Sequence, residues 1–184
     1  MAGSLIKVDE FTISSPVASV ILGGGSSGSS GLNAFINSTY DVYMVAFTNV
    51  LGTSEPTNFS YRMTESGTAN STSNYDYAFK NMFAGSGFSN ISGTNQNRVL
   101  MNQGSGNTAL ETQQGILYIY NANNSSEFTF TTFETTFRNA YGGALQGAQG
   151  GGVFTVTSTV DGIYFQQDSG NIASGTFTLY GLKK

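Results

Sequence analysis

Apolar and polar residues alternate with a period of two along much of this chain, and the closing segment shows it most clearly. In residues 162–182, GIYFQQDSGNIASGTFTLYGL, Ile163 and Phe165 fall on one parity and Tyr164 and Gln166 on the other, while Phe177 and Leu179 oppose Thr176, Thr178 and Tyr180. That period is what a half-buried strand requires. Asp168, Ser169, Gly170 and Asn171 supply turn chemistry between the two runs, as do Ser174 and Gly175. Gly and Asn tolerate positive φ, and Asp and Ser bond their own backbone. The two strands are expected to face each other across this turn.

Upstream, Ile6 and Val8 oppose Lys7 and Asp9, and Phe11 and Ile13 continue on the odd side after an expected kink at Glu10. Pro16 restarts the chain into a short strand over 17–22, followed by GGGSSGSSG at 23–31, a flexible loop by composition. The run DVYMVAFTNV at 41–50 reads as a central strand buried on both faces. Residues 58–64 alternate Phe59, Tyr61 and Met63 against Ser60, Arg62 and Thr64, and are expected to pair beside it through the turn at Glu55-Pro56. YDYAFKNMF at 75–83 lays Tyr75, Phe79 and Phe83 on one helical face, but its aromatics and flanking turn residues favour a strand.

Two more strands are read at 98–103 and 115–122, on either side of a loop at 104–106. In EFTFTTFETTFR, residues 127–138, Phe128 and Phe130 sit on one parity and Phe133 and Phe137 on the other. A β-bulge near Thr131-Thr132 would restore a single face. GGALQGAQGGG at 142–152 reads as a second glycine-rich loop, and residues 153–157 as a further strand. The pattern predicts an all-β fold, an antiparallel β-sandwich of jelly-roll type with about ten strands, as one domain over residues 1–184.

Composition narrows the chemistry. Only 10% of residues are charged and the net charge is -4, so solubility rests on Ser, Thr, Asn, Gln and Gly. Fourteen Phe and ten Tyr nevertheless argue against disorder. The seven basic residues are scattered, whereas nucleic acid needs a clustered basic footprint. Cys and His are absent, which removes disulfides and the commonest zinc, haem and iron-sulfur ligand sets, and no cofactor is expected. No apolar run approaches the roughly 20 residues of a membrane span, and the start MAGSLIKVDE has no signal-peptide hydrophobic region.

Catalysis would have to rest on carboxylates, a Ser-Lys pair or Tyr. Glu127 and Glu134, seven residues apart on one strand, would be separated by more than about 20 Å, too far for a glycosidase dyad. Asp41 with Asp161 stays open as a pair, although Asp commonly seeds turns. No DxDxDG-like calcium cluster occurs. Tyr118, Tyr120 and Tyr164 are suited to sugar stacking, and equally to an interface. The chain is expected not to be an enzyme.

The ending SGNIASGTFTLYGLKK and GGVFTVTS at 151–158 resemble the C-terminal half of small β-sandwich proteins among the virion structural proteins of tailed bacteriophages. IKVDEFTI (6–13), YDVYMVAFTNV (40–50) and GILYIYNANNSSEFTF (115–130) extend the resemblance over most of the chain. Its motifs are turns and strand edges without a reactive group. The resemblance implies a decoration or cement module on the virion surface, assembled in the host cytoplasm and bound by protein-protein contacts to the major capsid protein or a tail protein. It also implies self-association as a homotrimer. The alternative is a receptor-binding head or fibre component of the tail that holds a host glycan; a fibre tip normally needs an N-terminal stem, and with the first strand expected to begin by Leu5 the expectation shifts toward decoration. Loops at sandwich ends reach partners, so Gly25, Ser26, Gly28, Gly143, Gln146 and Gln149 are the expected contact residues.

Overall fold

The computed structural model describes residues 4–24 and 35–183. Among them are thirteen strands: β1 (Ser4–Thr12), β2 (Ser19–Gly23), β3 (Val42–Gly52), β4 (Phe59–Glu65), β5 (Thr68–Ala69), β6 (Tyr75–Phe83), β7 (Gly87–Gln96), β8 (Val99–Leu100), β9 (Gln113–Tyr120), β10 (Thr129–Arg138), β11 (Leu145–Phe154), β12 (Gly162–Gln167) and β13 (Ile172–Lys183). Every ladder is antiparallel. One sheet has eight strands in the order β1-β13-β3-β9-β10-β11-β6-β7; the other has five, with β2, β12 and β4 side by side and β5 and β8 both flanking β4. The expected antiparallel sandwich is what the chain forms, with thirteen strands where about ten were expected.

The closing strands face each other, but from opposite sheets. β12 pairs with β2 and β4, whereas β13 pairs with β1 and β3, so Phe165 and Phe177 meet across the core with ring centroids 5.3 Å apart. Phe47 of β3 and Phe59 of β4 complete this cluster, 5.5 Å from each other. All four rings are fully buried, and each such burial stabilises the fold by about 1.5–3 kcal/mol. β4 is therefore not the neighbour of β3: it crosses to the small sheet and pairs with β12. Alternation assigns Phe59, Tyr61 and Met63 to a face, and that face looks across the core rather than along the sheet.

β1 turns its kink at Val8, where the register with β13 shifts between Lys7 and Asp9, two residues before the expected Glu10. The bulge swings Asp9 inward, where its carboxylate accepts the amides of Glu10 (2.8 Å) and Gly23 (2.9 Å) and so ties the large sheet to the small one. Residues 75–83 form a strand, as the aromatics and turn residues favoured. The strand read at 98–103 shrinks to β8, because Asn102 dives inward to accept the amide of Phe59 (2.7 Å) and donate to Ser105 Oγ (2.8 Å).

Two expectations along β10 and β11 are corrected. β10 runs without a bulge, in unbroken register with β9 and β11, and alternates buried and exposed at every step. Its inward positions suit threonine as well as Phe133 and Phe137: Thr131 bonds the buried Tyr61 hydroxyl, and Thr135 Oγ1 donates to the Met101 carbonyl. A bulge would expel them. Phe128 and Phe130 consequently stay outside.

Residues 142–152 are not a loop beyond residue 144: β11 pairs with β10 over ten residues and with β6 over nine. The glycines are there for close approach. A Cβ on Gly150 would lie 2.3 Å from both the Ala78 carbonyl oxygen and Phe79 Cβ, so only glycine fits between Phe79 and Phe133, whose rings meet edge-on at 5.7 Å. The other glycine-rich segment, 23–31, lies outside the described residues from Gly25 onward.

Candidate recognition face

The eight-stranded sheet buries one face against the small sheet and turns the other outward. Register fixes what that outer face carries. Across β3, β9, β10, β11 and β6 one row reads Met44, Tyr118, Thr132, Gly151, Ala78, and the next reads Ala46, Ile116, Glu134, Gln149, Lys80. The row on the other side of Tyr118 brings Tyr120 beside Phe130, which is 47% exposed. Because Tyr118 and Tyr120 are two apart on one strand, their rings stack along it, 6.5 Å between centroids and 25° between planes. The Tyr120 hydroxyl lies 3.3 Å from Thr132 Oγ1.

Beside this aromatic ridge the surface drops. Gly151 and Ala78 present almost nothing, and a groove of ≈ 270 Å³ opens between Ile116, Tyr118, Thr132, Glu134, Gln149 and Gly150, with Phe133 at its floor. Gln149 Nε2 donates to Glu134 Oε1 at 2.7 Å across the β10–β11 ladder, which orients both side chains along the groove wall. The face thus offers flat rings, an amide and a carboxylate on a rigid sheet. It can stack and hydrogen-bond; it presents no thiol, imidazole or paired acid for group transfer.

The expected contact residues are dispersed. Gly25, Ser26 and Gly28 lie outside the described residues. Gly143 sits in the β10–β11 hairpin turn with φ 66°, its amide donating to the Asn139 carbonyl and its own carbonyl accepting from Arg138 Nε at 2.6 Å. Gln146 is buried, not a surface contact: it has the inward parity of Ala148 and Phe154, and its Nε2 donates to the Gln103 carbonyl at 3.3 Å. Only Gln149 belongs to the groove. Sequence reading missed Ile116, Phe130, Thr132 and Glu134 as a set, although the two opposed Phe parities in β10 were a signal for a strand with aromatics on both faces.

The remaining candidates have structural partners. Asp161 accepts Thr64 Oγ1 at 2.6 Å and the Gly67 amide at 2.8 Å, fastening the β4–β5 turn. Asp41 is exposed beside Tyr40 and Asn123, in a polar depression with Asn121 and Asn124. Glu127 precedes β10 and accepts from Asn124 Nδ2 at 3.0 Å. Tyr164 is on the small sheet, under the Arg62 guanidinium at 5.9 Å, far from its two companions on the large one. The described residues hold no group of three or more His, Cys, Asp or Glu placed to share a metal ion, and no helix long and apolar enough to cross a membrane. Burial of the Tyr61 and Tyr75 phenols pushes both well above the ordinary tyrosine range. No family model, curated protein or solved structure matches the chain.

Proposed function

We propose that this chain is a non-enzymatic virion structural protein of a tailed phage, a decoration module that sits on the particle surface through protein-protein contacts made by the outer face of its large sheet. The observation that carries the reading is the preformed face itself: Tyr118, Tyr120 and Phe130 on adjacent strands, flanked by the Glu134–Gln149 pair. Aromatic anchors with a polar rim are the anatomy of protein interfaces. Being fixed on a sheet, these side chains lose little freedom on contact. The segments that carry the phage resemblance fall on β1, β3, β9, β10, β11 and β13, which are six contiguous strands of this same sheet. Repetition over a lattice of capsid or tail protein would supply avidity to a modest single contact.

The test is add-back to particles that lack the chain. Wild-type protein is expected to co-sediment with them, and a Tyr118→Ala/Phe130→Ala variant to stay in the supernatant while melting within a few degrees of wild type. Retention of the variant on particles would remove the face from the reading.

A second reading, a host-glycan-binding tail component, is favoured by one observation. The groove sets a tyrosine ring beside an amide-carboxylate pair, which suits a sugar ring with neighbouring hydroxyls. If the same variant attaches to particles normally while those particles no longer adsorb to host cells, this second reading replaces the first.

A further inference from the structure

The sandwich has exposed sheet edges, and they are not treated alike. An edge strand presents unpaired amides and carbonyls to any passing strand, and proteins blunt it with charge, proline, bulges or brevity. On the large sheet, β1 carries Lys7, Asp9 and Glu10 together with its bulge at Val8. On the small sheet, β2 has five residues, and β5 and β8 have two each. β7 is the exception: ten residues, GFSNISGTNQ, without a charge or a proline, paired among the described residues with β6 alone. Its ladder is unbroken from Gly87 to Gly93 and shifts only beyond, toward Asn95 with φ 54°. That leaves a straight edge of seven residues, longer than the usual strand.

The side chains of this edge suit a copy of themselves. Phe88, Asn90 and Ser92 point to the outer face and Ser89 and Ile91 to the inner one, following the register with Met82, Lys80, Ala78, Asn81 and Phe79. A strand meeting its two-fold mate places each side chain against its symmetry partner, and on the axis against itself. A carboxylate or ammonium there repels; an amide, which both donates and accepts, pairs. Asn90 is the middle residue of the straight run. A two-fold through it sets Asn90 against Asn90, Phe88 against Ser92 and Ser89 against Ile91, and covers Phe88, which stands 69% exposed with Lys80 Nζ over its ring at 5.2 Å. Head-to-tail pairing of β7 onto β1 meets the charges and bulge of β1, so the contact closes as a pair instead of growing into a filament.

We infer that β7 is a docking edge for β7 of a second copy, paired antiparallel about Asn90 so that the two large sheets become one continuous sheet. The experiment is sedimentation velocity of the full chain across the micromolar range, with Asn90→Lys, which sets two ammonium groups face to face, and Lys7→Glu on β1 as the control edge. Wild type and Lys7→Glu are expected to dimerise as concentration rises. Asn90→Lys is expected to weaken the dimer by at least about ten-fold, with an unchanged melting curve at concentrations low enough that both proteins are monomers, because the position is exposed. Amide exchange supplies a readout that needs no variant: amides of residues 87–93 in the wild type should slow as concentration rises, while those of β1 do not. A monomer throughout, a trimer, a dimer indifferent to Asn90→Lys, or exchange in β7 independent of concentration would each overturn the inference.

Discussion

Gly150→Ala and Gly147→Ala are the same substitution three residues apart on β11, and they should move stability in opposite directions. At Gly150 the new methyl lies 2.3 Å from the Ala78 carbonyl oxygen and 2.5 Å from Phe79 Cα. Both belong to strand β6, which cannot swing aside as a side chain can. Restoring ordinary contact requires about 1 Å of extra separation, which stretches ladder bonds from about 2.9 Å to nearly 4 Å and breaks them. Losing about two such bonds at roughly 1 kcal/mol each, with 1–3 kcal/mol of overpacking, outweighs the 0.5–1 kcal/mol that alanine recovers from the glycine's unfolded-state freedom, leaving a net cost of about 2–4 kcal/mol. At Gly147 the nearest atom is Met82 Cε at 3.1 Å, the end of a flexible side chain, and the next is the Thr135 carbonyl oxygen at 3.4 Å. That methyl is accommodated, and the change should be neutral or stabilising by up to about 1 kcal/mol. Urea unfolding of the two variants, compared at constant m-value, reads the difference directly. Two midpoints equal to wild type would mean that residues 145–154 are not held in a ladder, and the close-approach argument would fail.

Three further outcomes follow from the core and its buried polar groups. Phe177→Ala removes one ring from the Phe47, Phe59, Phe165 and Phe177 cluster and should cost about 3–5 kcal/mol, read as a lowered urea midpoint; a loss below about 1 kcal/mol would show the cluster to be loosely packed. Asp9→Ala leaves the Gly23 amide without its carboxylate and should cost about 1–3 kcal/mol, measured in the same way, whereas an unchanged midpoint would deny that this contact clamps β1 to β2. Stability should fall as pH rises above about 10, because burial raises the Tyr61 and Tyr75 phenols above their unfolded value, so the folded state holds protons that the unfolded chain releases. Tyr61→Phe should shallow that fall, and identical alkaline slopes for variant and wild type would refute the assignment.

The alternation of apolar and polar residues made the face of most strands legible: Ile163 and Phe165 in β12, Phe177 and Leu179 in β13, and Phe59, Tyr61 and Met63 in β4 are all buried as their parity requires. Partnership was not legible, because parity does not say whether β4 pairs beside β3 or faces it across the core. The error at β11 has a different source. Glycine lacks the side chain that carries the periodic signal, so GGALQGAQGGG reads as flexible, yet in the fold its glycines let β6 and β10 approach. The groove was hidden for another reason: its walls at Tyr118, Glu134 and Gln149 come from three strands that register alone brings together.

Locating the chain in a density map of intact particles tests the proposed function most directly. The account predicts repeated copies of the sandwich on the particle surface, with Tyr118, Tyr120 and Phe130 turned toward the underlying capsid or tail protein. Absence of the chain from purified particles, or copies seated with that face open to solvent, would contradict it.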